Sequence, residues 1–332
     1  MSRKISKIPS NRLPIRIRHI LFLAILPLVA NAQTPPDIAI LQGAPGEEKY
    51  EKLFKGWAEN FQAACKEAGR PVIRIHEPQA GMAPKFLLHD WLDKQAASKS
   101  QTPLWVFFVG HGTYDGESAK FNFHGPDVSA EELRGWLEPL KNRTVLLINT
   151  ASSSAPFLTK LSAPGRIIMT ATRSGSEYNA TQLANYLSKN IANPAADLDQ
   201  DGQTSLLEAW LHSNRELADH YKKENRIQTE HSLLDDNADA RGTEPTAFTG
   251  ILPNFKPGQK TEPDGYRAHQ FHLVPSEQEN RLSREQKESR DALELKIHRL
   301  RRNKASLQED EYYEKLEVLL RKLGDVYLGG KQ

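Results

Sequence analysis

The sequence contains very little cysteine. Its single cysteine, Cys65, excludes any intramolecular disulfide bond. Cys65 lies in Phe61-Gln-Ala-Ala-Cys-Lys-Glu-Ala, a segment whose spacing predicts an amphipathic helix, and no turn or glycine presents the thiol. We therefore predict that Cys65 is a buried structural thiol and not a nucleophile.

The sequence also lacks an apolar run long enough to span a bilayer. The most apolar stretch, Ile20 to Ala30, is about 11 residues long, whereas a transmembrane helix needs roughly 20. It follows a basic segment and precedes Ala30-Asn31-Ala32, the small-x-small pattern that signal peptidase cleaves. We therefore expect residues 1–32 to be a signal peptide and the mature chain, from Gln33, to be periplasmic or secreted, with no membrane span.

A strong charge of one sign is missing as well. The formal net charge is +2, and no basic block marks a surface for nucleic acid, so we exclude that class of partner. The mature chain, of about 300 residues, is long enough for one large α/β domain and an appendage.

Short apolar segments alternate with amphipathic ones from about residue 37 onward. The pattern predicts strands at 37–41, 71–75, 104–109, 144–148 and 166–170, and helices at 47–69, 85–97, 129–140 and 181–191. Ser129 and Glu132 form a capping-box pattern at the start of the third helix. Strands that are apolar throughout favour a parallel sheet covered by helices on both faces, which is an α/β fold.

The composition changes twice near the C-terminus. Residues 251–276 are rich in proline, glycine and polar residues, which predicts a linker or loose extension. Residues 277–323 are strongly charged, with leucines at helical spacing, and predict one long helix or a helical hairpin. This charged helical segment either packs one stripe on the domain or mediates self-association or partner binding.

Two predicted strands end in residues that are typical of catalytic sites. Ligands of doubly wound sheets bind beyond the C-terminal ends of the strands. His111 leaves the third strand between two glycines, and the N–H of Gly112 can face a substrate oxyanion. The fourth strand ends in a turn of small residues that contains Ser152. If the two strands are neighbours, His111 can serve as a base for Ser152.

These pieces together resemble the caspase-like fold, and most closely the legumain family of cysteine peptidases. The resemblance covers roughly residues 37–250 and rests on Gly110-His111-Gly112, the small-residue turn, the 121–127 segment and Ala171-Thr-Arg-Ser-Gly. It implies a three-layer caspase-like sheet flanked by helices, in a domain spanning 33–250. Arg173 is either a ligand-binding residue that holds a carboxylate beside the cleft or a surface arginine.

The sequence departs from this family at the nucleophile. Aligning Ala151-Ser152-Ser153-Ser154 on the family's turn puts Ser152 in the place of the catalytic cysteine, and a shift of one residue puts Ala151 there. A serine needs stronger base assistance and an acid that orients the histidine, and only Asp115 lies near His111 in the sequence. We therefore expect a catalytically inactive homologue that acts in binding or structure. The alternatives are a hydrolase that uses Ser152 with His111 and an envelope scaffold that acts through the C-terminal helices.

Residues 197–208 match the spacing of an EF-hand calcium loop. That loop has ligands at positions 1, 3, 5, 7, 9 and 12 and a glycine at position 6, which is Gly202 here. The predicted ligands are Asp197, Asp199, Asp201, the carbonyl of Gln203, Ser205 through a water, and Glu208. Because Asn193-Pro194 interrupts the entering helix, we expect a calcium loop inserted in a larger domain. Outside the cytoplasm it would serve as a structural clamp, and the alternative is an acidic turn before a capped helix.

A second acidic segment repeats part of this pattern. Asp235, Asn237 and Asp239 alternate as ligands would, but Ala240 stands at the glycine position and Thr246 at the closing glutamate position. The segment favours a polar turn over a second ion site.

Overall fold

A six-stranded sheet lies at the centre of the computed structural model, which describes residues 35–254 and 261–328. The strands are β1 (Ile38–Gln42), β2 (Val72–Ile75), β3 (Leu104–Val109), β4 (Gly112–Tyr114), β5 (Ala119–Phe121), β6 (Val128–Ser129), β7 (Val145–Asn149), β8 (Arg166–Thr170), β9 (Leu233–Asp235), β10 (Phe248–Thr249) and β11 (Leu252–Pro253). The central order is β2-β1-β3-β7-β8-β9, in which all neighbours are parallel except β9, which is antiparallel to β8.

Helices cover both faces of this sheet. They are α1 (Glu48–Glu67), α2 (Pro84–Ala97), α3 (Ala130–Leu137), α4 (Ala155–Leu161), α5 (Leu183–Asn190), α6 (Leu206–Lys223), α7 (Glu277–Arg281), α8 (Arg284–Arg302) and α9 (Glu309–Leu328). Successive side chains of a strand point to opposite faces. Ile38 and Ile40 of β1 therefore pack with α1, α5 and α6, whereas Ala39 and Leu41 pack with α2, α3 and α4. The fold is α/β with a mostly parallel sheet between two helical layers.

The regular elements agree with the sequence predictions to within about two residues at most ends. The capping box at the start of α3 is present: the N–H of Glu132 donates to Ser129 Oγ, and the N–H of Ser129 donates to Glu132 Oε2. The small antiparallel sheet β4-β5-β6 was not predicted, because its strands have only two or three residues each and show no usable periodicity. The predicted signal peptide, residues 1–32, lies outside the described residues.

The prediction of a linker at 251–276 was wrong for residues 261–276. Ala268 and Leu273 are fully buried, and the buried carboxylate of Asp236 accepts N–H groups from Gly265, Arg267 and Ala268. These backbone hydrogen bonds, together with the buried apolar side chains, hold a segment of polar composition on the domain.

The C-terminal charged segment forms a hairpin of α8 and α9, preceded by the short helix α7. Arg290 of α8 is buried and pairs with Glu279 of α7 and with Asp291. Leu293 of α8 and Tyr312 of α9 are buried, while much of the outer face of α9 is exposed. In the described part of the chain, no helix is both long and apolar enough to cross a membrane.

The buried carboxylate of Glu230 caps the N-terminus of helix α5. Glu230 accepts the backbone N–H groups of Gln182 and Leu183 and the hydroxyl of Tyr221. Burial raises the pKa of Glu230 to about 7, although these hydrogen bonds oppose the shift. The folded protein therefore holds this proton over a pH range in which the unfolded chain has released it.

We predict that Glu230 makes the protein less stable as the pH rises from about 4.5 to about 7. Within that window the folded state binds one more proton than the unfolded state, which lowers the free energy of unfolding by about 1 kcal/mol per pH unit. Glu230→Gln cannot ionise, so its urea midpoint should fall less over this window. The exposed control Glu67→Gln should follow the wild type, and equal slopes for all three proteins would contradict the prediction.

Candidate functional site

His111 follows β3 and lies against helix α1. Its ring packs edge-on against Tyr50 and Phe54, with ring-centre distances of 4.6 and 4.9 Å. Burial lowers the pKa of His111, although a hydrogen bond to the carbonyl of Pro45 opposes the shift. The imidazole is thus a half-buried ring beside α1, and its burial disfavours the protonated form.

Ser152 lies in the turn after β7, the strand next to β3, and is 2% exposed. Its Oγ donates to the carbonyl of Gly112 at 3.0 Å and accepts the N–H of Gly112 at 3.2 Å. No hydrogen bond joins Ser152 to His111 within the described ranges. The predicted nucleophile and base are therefore not hydrogen-bonded to each other: the ring packs against α1, and the hydroxyl bonds the backbone of β4.

Gly112 has a structural role in this arrangement. A Cβ added there would lie 2.4 Å from the carbonyl oxygen of Ser152, so only glycine permits the close approach of the two backbones. Its N–H already donates to Ser152 Oγ, which corrects the prediction that this N–H faces a substrate oxyanion. Asp115 does not act as the third catalytic member either, since it accepts the N–H groups of Glu117 and Ser118 in the β4–β5 turn.

Ser153 is a site residue that the sequence analysis missed. Its backbone has φ +52°, its N–H donates to the carbonyl of Glu177 at 2.9 Å, and its buried Oγ has no partner among the described residues. Ser154, by contrast, bonds Thr172 and accepts the N–H of Ala171. Three identical residues in sequence thus have three different environments, which sequence alone does not distinguish.

Ser153 lines a cavity of 720 Å³ between β4 and residues 174–178. The other lining residues are Gly112, Thr113, Tyr114, Gly116, Ser174, Gly175, Ser176 and Tyr178. The cavity lies beyond the C-terminal ends of β3 and β7, where parallel sheets bind their ligands.

Arg173 is exposed and ion-paired. Its Nε lies 3.5 Å from Glu177 and its Nη1 3.5 Å from Glu244, and it does not line the cavity beside Ser153. This placement agrees with the surface-arginine alternative. Glu177 also accepts a 2.6 Å hydrogen bond from His231 Nδ1, a pair that is 54 residues apart in the chain and was not predicted.

Cys65 is buried in the core between α1 and the sheet. Burial raises the pKa of its thiol to about 11, which keeps it protonated at neutral pH. The cysteine therefore does not replace the missing nucleophile.

The predicted calcium loop brings its acidic side chains together. The carboxylates of Asp197, Asp199 and Asp201 lie within 4.8 Å of one another, and Gly202 turns the chain with φ +91°. Glu208, in the first turn of α6, is 1% exposed. Its Oε1 accepts the N–H groups of residues 198 and 199, and its Oε2 accepts the N–H and the hydroxyl of residue 205. This concentration of carboxylate oxygen suits a hard divalent cation.

A distant segment completes this site and was not predicted. His269 Nε2 lies 3.1 Å from Asp199 Oδ2, and His269, Asp199 and Glu208 form a second group that could hold a metal ion. The N–H of Ser276 donates to Gln203 Oε1 at 3.0 Å. Local spacing gives no sign of His269, because it lies 70 residues after Asp199 in the chain.

The second acidic segment is a polar turn. Asp235 accepts the N–H of Ala238, Asn237 accepts that of Asp239, and Asp239 accepts that of Arg241. Each side chain thus bonds the backbone two or three residues later in the chain. The described residues show no metal-binding group there.

No protein-family model matches the chain, and no curated protein matches it either. Any functional assignment therefore rests on the residues themselves and on their geometry.

We predict that Ser152 stabilises the fold. Ser152→Ala removes both hydrogen bonds and leaves the buried N–H and carbonyl of Gly112 unpaired, which should cost about 1–3 kcal/mol of unfolding free energy. Urea unfolding of the variant measures this loss. Ser118→Ala, at a serine whose hydroxyl makes no hydrogen bond to a described residue, is the matched control. A Ser152→Ala variant as stable as that control would contradict the assignment.

Proposed function

We propose that this chain is an exported, calcium-stabilised protein with a caspase-like fold of the legumain type, which has lost peptidase activity and acts by binding. Support for the fold comes from the sheet order, the helices on both faces, and the adjacency of β3 and β7. His111 follows β3 and the small-residue turn follows β7. These are two of the four sequence features on which the resemblance rests.

The environment of Ser152 is the observation that carries the loss of activity. A serine nucleophile must give its proton to a base, yet the hydroxyl of Ser152 donates to the backbone carbonyl of Gly112. The N–H that would stabilise an oxyanion is engaged by the same hydroxyl. With Cys65 buried in the core, neither the Ser152 hydroxyl nor the Cys65 thiol is poised for acyl transfer.

Calcium has a structural role in this proposal. The ion would be held by the carboxylates of Asp197, Asp199, Asp201 and Glu208, and it would offset the mutual repulsion of the three aspartates. The same loop contacts residues 269–276 through His269 and Ser276. Bound calcium would therefore stabilise both the start of α6 and the segment that leads to the C-terminal helices.

The loss of activity is tested with the purified mature protein, peptide pools and a fluorophosphonate probe. We expect no cleavage above the buffer blank and no labelling of Ser152. Ser152→Cys should also stay inactive, because the side chain at this position is buried against the backbone of Gly112. Labelling or cleavage by the wild type that disappears in His111→Ala would contradict the proposal and support the hydrolase alternative.

Calcium binding is tested by melting in about 10 mM calcium and in chelator. A site with a Kd of about 10⁻⁴–10⁻³ M should raise the unfolding free energy by about 1.5–2.5 kcal/mol and Tm by a few degrees. Asp197→Asn, which keeps the side-chain size and removes one charge at the position where the loop pattern accepts only aspartate, should lose most of this shift. The exposed control Asp219→Asn should keep it, and no shift in the wild type would overturn the calcium proposal.

One observation favours a second candidate function, that of a scaffold acting through its C-terminal helices. Tyr313, Leu320 and Tyr327 are exposed on α9 and follow one another at intervals of seven residues. Such a stripe is typical of helices that pair with another helix. If this surface mediates self-association, sizing of the wild type should give a species larger than a monomer and Leu320→Glu should return it to monomer. A wild-type monomer would exclude this form of the scaffold.

A further inference from the structure

The described residues that line the cavity beside Ser153 carry no formal charge. They are glycines, hydroxyl residues and the two tyrosines Tyr114 and Tyr178, and none of them has a carboxylate, amine, guanidinium or imidazole. Its volume of 720 Å³ lies in the range of roughly 300–1,000 Å³ that small-molecule sites occupy. An uncharged wall gives no compensation to a charged ligand that loses its water, so the cavity favours a neutral one.

Ser153 is the lining residue whose hydroxyl lacks a partner in the described part of the chain. The residue is 2% exposed, and Oγ has no hydrogen-bond partner among the described residues. A buried hydroxyl without a partner costs stability, and so does positive φ at a residue other than glycine. A ligand hydroxyl would give Oγ both a donor and an acceptor.

Two tyrosines form the aromatic part of the wall. Tyr178 is 77% exposed, whereas Tyr114 is 38% exposed and its hydroxyl donates to the carbonyl of Gly116 at 2.6 Å. The Tyr114 ring packs on Gly175, where an added Cβ would lie 2.1 Å from the ring. One ring is thus fixed and the other free to pack against a ligand. Aromatic faces beside hydroxyl groups suit a sugar ring, which has apolar C–H faces and a rim of hydroxyls.

A peptide strand fits the cavity less well. A peptide that added to the edge of β4 would need backbone groups of that strand for its hydrogen bonds. At Gly112 both the N–H and the carbonyl are already bonded to Ser152 Oγ. The side chain of Ser152 thus occupies the positions that a pairing strand would take.

We propose that the cavity between β4 and residues 174–178 binds a neutral saccharide, with Ser153 Oγ bonding a sugar hydroxyl and Tyr178 covering a sugar face. This inference rests on the binding role proposed above and names its ligand class. It is independent of the calcium loop, whose residues lie elsewhere in the chain.

The test is calorimetric titration of the calcium-loaded mature protein. The probes are maltotriose, cellotriose, triacetylchitotriose and a tetra-alanine peptide blocked at both ends. We expect saturable binding of at least one saccharide and none of the peptide. Tyr178→Ala should weaken that binding at least tenfold. Absence of binding by every saccharide, or binding of the peptide alone, would overturn the proposal without bearing on the peptidase assays.

Ser153→Gly separates binding from folding. Glycine accepts positive φ and removes the unpartnered hydroxyl, so this variant should melt higher than the wild type while binding the saccharide at least fivefold more weakly. Ala80→Gly is the matched control, since it relieves φ +50° at an exposed site far from the cavity. It should also melt higher but bind as the wild type does. Unchanged binding in Ser153→Gly would overturn the assigned role of this hydroxyl.

Discussion

The buried carboxylate of Glu208 joins the acidic loop to the start of α6. It accepts the N–H groups of Leu198 and Asp199 from the acidic loop and both the N–H and hydroxyl of Ser205, which caps α6. Helix α6 then packs into the core on one face of the sheet. A charge that is 1% exposed is tolerated only when its oxygens are well bonded, so the order of the loop and the start of α6 depend on each other.

The loop in turn holds a segment that is remote in sequence. The N–H of Leu206 donates to the carbonyl of Phe271, and Gln203 bonds Ser276, so residues 269–276 lie on the loop and on the first turn of α6. The chain continues from there into α7 and the α8–α9 hairpin. A cation among the aspartates would reduce their repulsion and stabilise this whole arrangement, which is why we treat the calcium loop as part of the fold.

The edge of the sheet where a peptidase would act is organised differently. There, the backbone of β4 and the turn after β7 are joined by the hydroxyl of Ser152, a contact that requires glycine at position 112. The next residue, Ser153, lines a cavity, and its buried hydroxyl has no partner among the described residues. At this edge the fold engages the hydroxyl of Ser152, whereas the hydroxyl of Ser153 is the one that we propose for ligand binding.

Features that depend on neighbouring residues could be predicted from the sequence. The five parallel strands of the central sheet, most helices, the capping box of α3 and the converging aspartates of the loop all follow from spacing over a few residues. Contacts across the chain could not be predicted in this way. His269 contacts Asp199, although its own segment is polar and typical of a linker. The orientation of His111 depends on its packing against α1, and the backbone of Ser153 depends on a positive φ.

Native-state hydrogen exchange of the backbone amides of Leu206 and Ser276, with calcium and with chelator, tests the central claim most directly. The amide of Leu206 bonds Phe271, and that of Ser276 bonds Gln203 of the loop. If calcium clamps the loop to this segment, both amides should exchange more slowly with calcium, while core amides such as that of Ile148 in β7 change less. Equal exchange of Leu206 and Ser276 in the two conditions would contradict the account.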